Sequence, residues 1–258
     1  MPEIDQYSVS TIPMEMMFGS TVLSLGTGFV FASSGSFFVV SNWHNFSGKN
    51  PSTGVHLSLT AAEPDRIRVW WNTRGQLGSK FSVEIPIKDN NGQPLWFVHP
   101  VHRELIDVAA LPVNPHANAD PYPINQMSSV ELAAGIGSDV FILGYPFGIG
   151  PGGLPVWKRG SIASEPELVG LNNQHFILVD TASRPGMSGS PVIVRSRGAS
   201  PMADGSVAVM GTATRVVGVY SGRLSTNDPL DAQLGMVWPI RLVDEIINGA
   251  SRDVGMMS

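Results

Sequence analysis

The chain of 258 residues is long enough to form either one large β domain or two tightly joined halves. Only 14% of its residues are charged, and its 28 glycines and 20 prolines favour many short strands joined by turns. The formal net charge of -5 leaves no basic footprint for nucleic acid, and no apolar run is long enough to span a bilayer. We therefore expect no nucleic-acid partner and no membrane partner.

The absence of cysteine limits the chemistry further. It excludes a thiol nucleophile, a disulfide framework and a thiolate metal site. Residues 1–5 lack a basic region followed by an apolar one, so we expect an unexported, cytoplasmic protein. A secreted or periplasmic mature form that has lost its leader is the lesser alternative. No sequence pattern indicates an oligomeric state.

In the first half, short strand patterns surround a histidine and an aspartate. Residues 20–40 are apolar and β-branched around glycine-containing turns, which predicts a hairpin that ends just before His44. Three further strand patterns suit a closed antiparallel barrel: 67–71, 81–87 and 95–98. Asp107 lies in an otherwise apolar run, where an ionised carboxylate needs a charged or hydrogen-bonding partner. Either a structural arginine or a histidine that the carboxylate orients would supply this partner.

A proline-rich segment separates the first half from the second. Residues 112–123 contain four prolines and indicate a surface linker, so we place a boundary between residues 1–120 and 121–258. Residues 128–131 have the Ser-x-x-Glu spacing of a capping box and predict a short helix. Residues 239–249 begin with proline, carry spaced apolar residues and end in glycine, which predicts a C-terminal helix. Strand patterns of a second barrel occur at 140–143, 154–162, 176–179, 191–194, 207–210, 216–220 and 234–237.

A serine set among small, turn-forming residues lies at 184–191. Gly186 and Gly189 allow backbone conformations that are closed to residues with a Cβ, so an amide can point at a developing oxyanion beside the serine hydroxyl. Such clusters also mark ordinary surface turns. Ser188 is nevertheless the candidate nucleophile, and its partners decide between the two interpretations.

Chain order separates the arrangements that could use this serine. All six histidines precede Ser188, which excludes an α/β-hydrolase, whose histidine follows its serine. A subtilisin-type order requires an aspartate before His44, and only Asp5 qualifies, in a terminus with no strand to hold it. The order His44, Asp107, Ser188 remains, with each residue inside or at the end of a predicted strand.

Two rival motifs carry little weight. Residues 180–182 mimic the Asp-Thr-Gly/Ala loop of aspartic peptidases, but the motif occurs once and would require a dimer. No His-Glu-x-x-His motif occurs, and His99 with His102 lacks a helical context. We therefore expect no catalytic metal and no cofactor.

Taken together, these residues resemble a chymotrypsin-fold, trypsin-like serine peptidase of the bacterial, disulfide-free style. Residues 26–30 resemble the family's Gly-x-Gly-Phe strand, residues 39–44 its Leu-Val-Thr-Ala-x-His segment, and residues 106–109 its Asp-Ile-Ala segment. Residues 144–146 resemble the Gly-Tyr/Phe-Pro turn of HtrA-type and glutamyl-endopeptidase-type members. Residues 176–192 resemble the strand leading to the Gly-x-Ser-Gly-Gly-Pro signature, and residues 217–222 the strand lining the substrate cleft. The joint order of these segments is more specific than any one of them.

The resemblance implies an all-β fold of two six-stranded antiparallel β-barrels, followed by a C-terminal α-helix. It also implies a serine endopeptidase that cleaves polypeptides through an acyl-enzyme intermediate. In that enzyme His44 would be the general base, Asp107 its orienting carboxylate and Ser188 the nucleophile, with the backbone amides of Gly186 and Ser188 as the oxyanion hole. Met187 stands where many animal members have an aspartate that pairs with a newly cleaved N-terminus, so activation by that ion pair is not available.

The same resemblance implies where the substrate binds. Ala182 occupies the position that often sets the base of the primary pocket, so we expect small or apolar substrate residues rather than basic ones. Tyr220, Ser221 and Gly222 belong to the cleft strand, and Arg223 either recruits an acidic side chain or is a solvated arginine. Asn42 and Trp43 replace two alanines beside the histidine. Two alternatives share the fold: a catalytically weak peptide-binding or regulatory module, and an esterase with the same triad.

Overall fold

Short strands make up most of the regular structure in the computed structural model, which describes residues 4–171, 174–182, 184–223 and 233–254. All candidate site residues fall within these ranges, whereas residues 1–3 of the N-terminal segment lie outside them. The strands are β1 (Thr11–Phe18), β2 (Thr21–Ser33), β3 (Ser36–Ser41), β4 (Arg66–Thr73), β5 (Lys80–Pro86), β6 (Phe97–Val98), β7 (Ala109–Val113), β8 (Ala119–Asp120), β9 (Asp139–Gly144), β10 (Val156–Ile162), β11 (Ile177–Asp180), β12 (Pro191–Pro201), β13 (Val207–Arg223), β14 (Leu234–Pro239) and β15 (Ser251–Arg252).

Helices are few and short. The α-helices of the described residues are α1 (Gln6–Ser10), α2 (Trp43–Ser47) and α3 (Arg241–Gly249), and 3₁₀ turns lie at Ile124–Gln126, Pro146–Gly148, Pro151–Gly153 and Pro166–Leu168. The predicted C-terminal helix is confirmed as α3, which buries Leu242, Val243, Ile246 and Ile247 along one face. Within the described ranges no helix is long and apolar enough to cross a membrane.

The helix predicted for residues 128–131 is wrong, because the backbone and the serine there bind a neighbouring strand. The Ser129 hydroxyl donates to the Thr214 carbonyl at 3.1 Å, and the Val130 amide donates to the same oxygen at 3.0 Å. The predicted capping residue, Ser128, is held through its backbone instead, since its carbonyl accepts from the Tyr7 hydroxyl at 2.8 Å and its amide donates to Gln6 Oε1 at 3.3 Å. The segment is therefore not helical.

The strands form two sheets. The C-terminal barrel is closed and six-stranded, in the order β10-β11-β14-β13-β12-β9, as predicted. The N-terminal sheet has nine strands among the described residues, in the order β15-β6-β7-β3-β2-β1-β4-β5 with β8 paired to β4, where the resemblance implied six. One of these strands, β15, comes from the C-terminal end of the chain and pairs with β6. The all-β class with a C-terminal helix is confirmed, and the boundary at 120 and 121 stays a prediction.

Both faces of the central N-terminal strands are buried, which explains their continuous apolar sequences. Along β2 and β3, Val30 and Val39 face the interior of the N-terminal sheet, while Phe29 and Val40 face a second cluster that includes Trp238 and α3. Successive side chains of a strand point to opposite faces, so this second cluster lies between the sheet and the C-terminal barrel. The ends of β3 and β7 therefore lie where the two halves meet.

Candidate active site

Strand pairing brings the predicted base and its carboxylate together. Strands β3 and β7 are antiparallel neighbours in which Ser41 pairs with Ala109, so the residues just after β3 lie beside those just before β7. His44 is in the first turn of α2, directly after β3, and its Nδ1 lies 2.7 Å from Asp107 Oδ2. The His44 backbone N–H donates to the other carboxylate oxygen at 3.0 Å.

The surroundings of Asp107 set the tautomer of His44. Asp107 is only 2% exposed, and it also accepts a short hydrogen bond from the Ser221 hydroxyl. An ionised carboxylate can only accept, so His44 Nδ1 carries the proton and Nε2 presents a lone pair when the imidazole is neutral. The buried Asp107 carboxylate is therefore partnered by a histidine and a serine, rather than by an arginine.

Ser188 lies in the same cavity as this pair. The cavity is about 440 Å³ in volume and is lined by His44, Asp107, Ser188, Ser221 and Arg223, among others. Thr27 N–H donates to the Ser188 carbonyl at 2.9 Å and fixes the backbone of the serine. The Ser188 hydroxyl makes no hydrogen bond to any described residue. In the resting structure His44 is therefore hydrogen-bonded to Asp107 but not to Ser188.

The backbone of the loop at 184–191 leaves two amides without acceptors. The amides of Met187, Gly189 and Ser190 donate to carbonyl oxygens of Arg184, Tyr220 and Met187, at 3.2, 2.8 and 3.1 Å. Within the described part of the chain, the amides of Gly186 and Ser188 donate to none. These are the two amides that the sequence predicts as the oxyanion hole, and they flank the candidate nucleophile.

Loop 145–148 fixes the direction of the Gly186 amide. The Phe147 amide donates to the Pro185 carbonyl at 2.7 Å. In a planar trans peptide the C=O and the following N–H point in opposite directions, so the Gly186 N–H points away from Phe147. Gly186 has φ +90°, and a Cβ on it would lie 2.3 Å from the Tyr145 carbonyl oxygen. Glycine is therefore required here both by its φ and by the close approach.

The sequence and structural comparisons agree with this geometry. A family model described as the trypsin-like peptidase domain matches residues 26–200. The chain belongs to the trypsin-like peptidase family. A serine endoprotease from Yersinia pestis shares the fold, with a TM-score of 0.51 and 15% sequence identity over 94% of this chain and 64% of that protein. This chain thus spans less than two thirds of that endoprotease, and no curated protein sequence matches it.

The two residues that replace alanines in this trypsin-like peptidase each have a structural partner. Asn42 donates through Nδ2 to the Asp107 carbonyl at 2.7 Å, which holds the backbone that carries the carboxylate. Trp43 Nε1 donates to Asp253 Oδ2 at 2.7 Å, and Trp96 Nε1 donates to the same oxygen at 3.1 Å. Asp253 thereby connects the C-terminal end of the chain to helix α2. Both replacements support the position of His44.

Three further residues contact the oxyanion loop and were not predicted as site residues. Thr27 Oγ1 donates to the Gly186 carbonyl at 2.7 Å and accepts from the Tyr145 amide at 3.1 Å. Asn45 Nδ2 donates to the Ser188 carbonyl at 3.3 Å. The available sequence signal for Thr27 was a polar residue between two glycines inside an apolar strand. Tyr145 lies in the Gly-Tyr-Pro turn at 144–146, and Asn45 had no comparable signal.

The predicted substrate residues divide into two groups. Ser221 and Arg223 line the cavity that contains Ser188, and a Cβ on Gly222 would lie 3.8 Å from Ser188 Oγ. Tyr220 instead faces the interior of the C-terminal barrel, because side chains alternate along β13 and its ring packs against Gly235. Ala182 is half-buried after β11 and does not line the cavity within the described residues. Apolar side chains form much of the cavity wall: Leu57, Leu105, Phe176, Met236 and Trp238.

Three of the histidines other than His44 form a packed cluster: His99, His102 and His175. His99 Nε2 lies 2.9 Å from Glu245 Oε2, and its ring centroid lies 5.0 Å from that of His102. His102 in turn packs against His175 at 4.3 Å. Among the described residues, no three His, Asp or Glu side chains are grouped so that they could hold a metal ion.

Proposed function

We propose that this protein is a serine endopeptidase that hydrolyses peptide bonds through an acyl-enzyme intermediate on Ser188. The observation that carries the proposal is the pair of unbonded amides, at Gly186 and Ser188, beside a serine that shares a cavity with a hydrogen-bonded His44–Asp107 pair. Donors fixed in advance at the place where negative charge develops are the largest single contribution in this class of reaction.

Acylation follows from these positions. Ser188 Oγ attacks the carbonyl carbon of the substrate while His44 Nε2 takes the hydroxyl proton, and the carbonyl oxygen becomes an oxyanion that accepts from Gly186 and Ser188. The hydrogen bond between Ser188 and His44 forms in the substrate complex, since such contacts often tighten only then. Asp107 stays ionised, held by His44 and Ser221, and stabilises the imidazolium.

His44 next acts as a general acid to complete acylation, and then as a general base again in deacylation. The His44 imidazolium gives its proton to the departing amine, which breaks the peptide bond and leaves the acyl group on Ser188. His44 then takes a proton from a water molecule that attacks the ester, and the same two amides hold the second oxyanion. The acid leaves and Ser188 regains its proton.

The cavity walls favour apolar substrate side chains. Apolar surface in the cavity that contains Ser188 comes from Phe176, Met236 and Trp238. The rings of Phe176 and Trp238 pack edge to face, with 5.5 Å between their centroids. Burial of an apolar side chain here is worth ~1.5–3 kcal/mol. Arg223 is the cation of the cavity lining, and an acidic side chain is the alternative preference. Cleavage of a peptide library, read by mass spectrometry, distinguishes the two preferences.

Labelling with a fluorophosphonate tests the mechanism directly. We expect the probe to modify Ser188 alone, as mapped by mass spectrometry, and His44→Ala to abolish the modification. Turnover of casein or a peptide library should fall by roughly four to six orders of magnitude in Ser188→Ala and His44→Ala. If both variants cleave like the parent, the assignment is wrong.

One observation favours a second candidate, a peptide-binding module with little activity. The Ser188 hydroxyl has no hydrogen-bond partner among the described residues, so no described base holds its proton in the resting structure. Such a module would bind apolar peptides in calorimetry and would leave Ser188 unlabelled. Turnover of both members of a matched ester and amide pair would retain the endopeptidase, and turnover of the ester alone would identify an esterase.

A further inference from the structure

A second cavity, separate from the catalytic one, lies where the N-terminal sheet meets the loop at 145–153. Its volume is about 310 Å³, and it shares no lining residue with the cavity that contains Ser188. One side is largely apolar, formed by Pro13, Met14, Leu25 and Trp70. The other side is formed by Tyr145 and by glycines of the loop. Such a concave, mostly apolar site with a few polar groups has the character of a small-molecule site.

The polar group in this cavity is the ammonium of Lys80. Lys80 Nζ donates to the Tyr145 hydroxyl at 3.0 Å and to the Thr11 carbonyl at 3.5 Å. Within the described residues it forms no ion pair with any carboxylate. Burial lowers the pKa of Lys80 to about 8. The cavity thus contains a cation whose charge is not neutralised by any carboxylate among the described residues.

The other titratable groups around Lys80 do not supply that charge. Glu15 lines the same cavity, but its Oε2 pairs with Arg68 NH1 at 2.8 Å. The Tyr145 hydroxyl is bonded to the Thr11 and Gly153 carbonyls at 3.1 Å, and burial raises its pKa, so it stays neutral. A ligand that carries one negative charge would therefore balance the positive charge of Lys80.

The glycines keep the cavity open. A Cβ on Gly150 would lie 2.6 Å from the Tyr145 ring, and a Cβ on Gly148 would lie 3.1 Å from Leu25 Cδ1. The loop is closed by its own turns, in which Gly148 N–H donates to the Tyr145 carbonyl and Gly153 N–H to the Gly150 carbonyl, both at 2.9 Å. The wall is thus an ordered surface in which any larger residue would reduce the free volume.

We infer that this cavity binds a monocarboxylate with a short apolar group, in which the carboxylate pairs with Lys80 and the apolar group packs against Met14, Leu25 and Trp70. A charged hydrogen bond to a partly buried ammonium is among the stronger polar contacts in proteins. Two sources share this chemistry: the C-terminal residue of a peptide and a free short-chain acid. The inference does not depend on Ser188 or on peptidase activity.

Calorimetry with three matched probes tests the site. N-acetyl-leucine represents a peptide C-terminus, 4-methylpentanoate a free acid, and N-acetyl-leucinamide the same apolar group without the charge. We expect at least one acid to bind and the amide to bind at least about tenfold more weakly. The tighter of the two acids identifies the source. Equal affinity for acid and amide, or binding of none of the three, would overturn the inference.

Variants at two lysines locate the binding. Lys80→Gln should weaken acid binding by at least about tenfold, and Lys80→Arg should retain it. Lys88→Gln is the matched control, because Lys88 follows strand β5, pairs with Glu63 at 2.7 Å and lies outside this cavity, and it should leave binding unchanged. Thermal unfolding and circular dichroism confirm that each variant is folded. An unchanged affinity in folded Lys80→Gln overturns the assignment.

Proton uptake gives a readout that needs no variant. A bound carboxylate stabilises the charged form of Lys80, so binding at pH 8 should take up protons. The binding heat should then differ between buffers of high and low ionisation enthalpy, and affinity should fall as the pH rises further. Acid binding without proton uptake at pH 8 would place the ligand elsewhere.

Discussion

Ser221 and His44 donate to the same oxygen of Asp107, the carboxylate Oδ2. The first donor comes from β13 of the C-terminal barrel, and the second comes from α2 beside the N-terminal sheet. The carboxylate therefore joins the two halves of the molecule at the point where the proposed chemistry occurs. It is positioned from both sides, which restricts the rotation of the imidazole.

Replacing Ser221 by alanine should weaken this arrangement without removing it. Asp107 would keep the two donors of His44, and a hydrogen bond to a charged group is worth ~1.5–3 kcal/mol, so we expect kcat to fall by roughly tenfold or more. The measurement is steady-state hydrolysis of a peptide substrate. Ser129→Ala, which removes a hydroxyl bond to Thr214 far along the chain, is the control and should leave kcat unchanged. Equal losses in the two variants would indicate a general effect on stability.

Gly186→Ala should reduce both stability and activity. The new Cβ would clash with the Tyr145 carbonyl at 2.3 Å and would need a φ of +90°, which together cost about 1–3 kcal/mol. Displacement of the amide should lower kcat by ~10²–10³-fold. Gly35→Ala separates the two effects, because Gly35 has φ +77° but open space around it. That control should lose stability alone, and a comparable loss of kcat in it would contradict the assigned role of Gly186.

Thr27→Val should disturb the oxyanion loop by removing one oxygen from a buried position. Valine has nearly the same shape but leaves the Gly186 carbonyl and the Tyr145 amide without their shared partner. We expect the free energy of unfolding to fall by ~1–3 kcal/mol and kcat to fall by about tenfold. Thr27→Ser, which keeps the hydroxyl, should recover most of kcat. If valine and serine variants have equal kcat, the hydroxyl has no positioning role.

The histidine cluster predicts a pH dependence of stability. Burial, with added repulsion from His102 and His99, lowers the pKa of His175 below its ordinary value of 6.5. Between the lowered pKa and 6.5 the unfolded chain binds more protons than the folded one, so stability falls as the pH falls through this window. Arg241 acts in the same direction and Glu245 opposes it.

Chemical denaturation between pH 7.5 and pH 5 measures this effect. His175→Gln should show a smaller loss of unfolding free energy over the window than the parent, and His116→Gln, which lies outside the cluster, should behave like the parent. Identical pH slopes in all three proteins would remove His175 from the explanation.

Chain order, strand patterns and the family resemblance together predicted that His44 and Asp107 meet, although the apolar run around Asp107 also allowed an arginine as its partner. Each residue has a local signal: His44 follows an apolar strand, and Asp107 is a carboxylate in an apolar run. The pairing of β3 with β7 brings the two side chains together. The loop around Gly186 was predictable for a similar reason, because glycine marks the positions where φ is positive.

The contacts of Thr27, Tyr145 and Asn45 could not be predicted in this way. Each joins residues more than 100 positions apart through a backbone group, and backbone groups have no sequence signature. The helix expected at 128–131 failed for the same reason, since Ser129 and Val130 bind the carbonyl of the distant Thr214. The orientation of Tyr220 depended on the register of β13, which a short apolar run does not specify.

The bond from Trp43 to Asp253 has a consequence for the order in which the protein is made. Trp43 precedes the proposed general base, yet its buried partner is synthesised 210 residues later. A chain still attached to the ribosome at residue 250 contains the histidine, the aspartate and the serine, but it lacks the carboxylate that anchors helix α2 and the strand β15 that completes the N-terminal sheet. The proposed peptidase therefore reaches the geometry described here only after residues 251–253 have been synthesised.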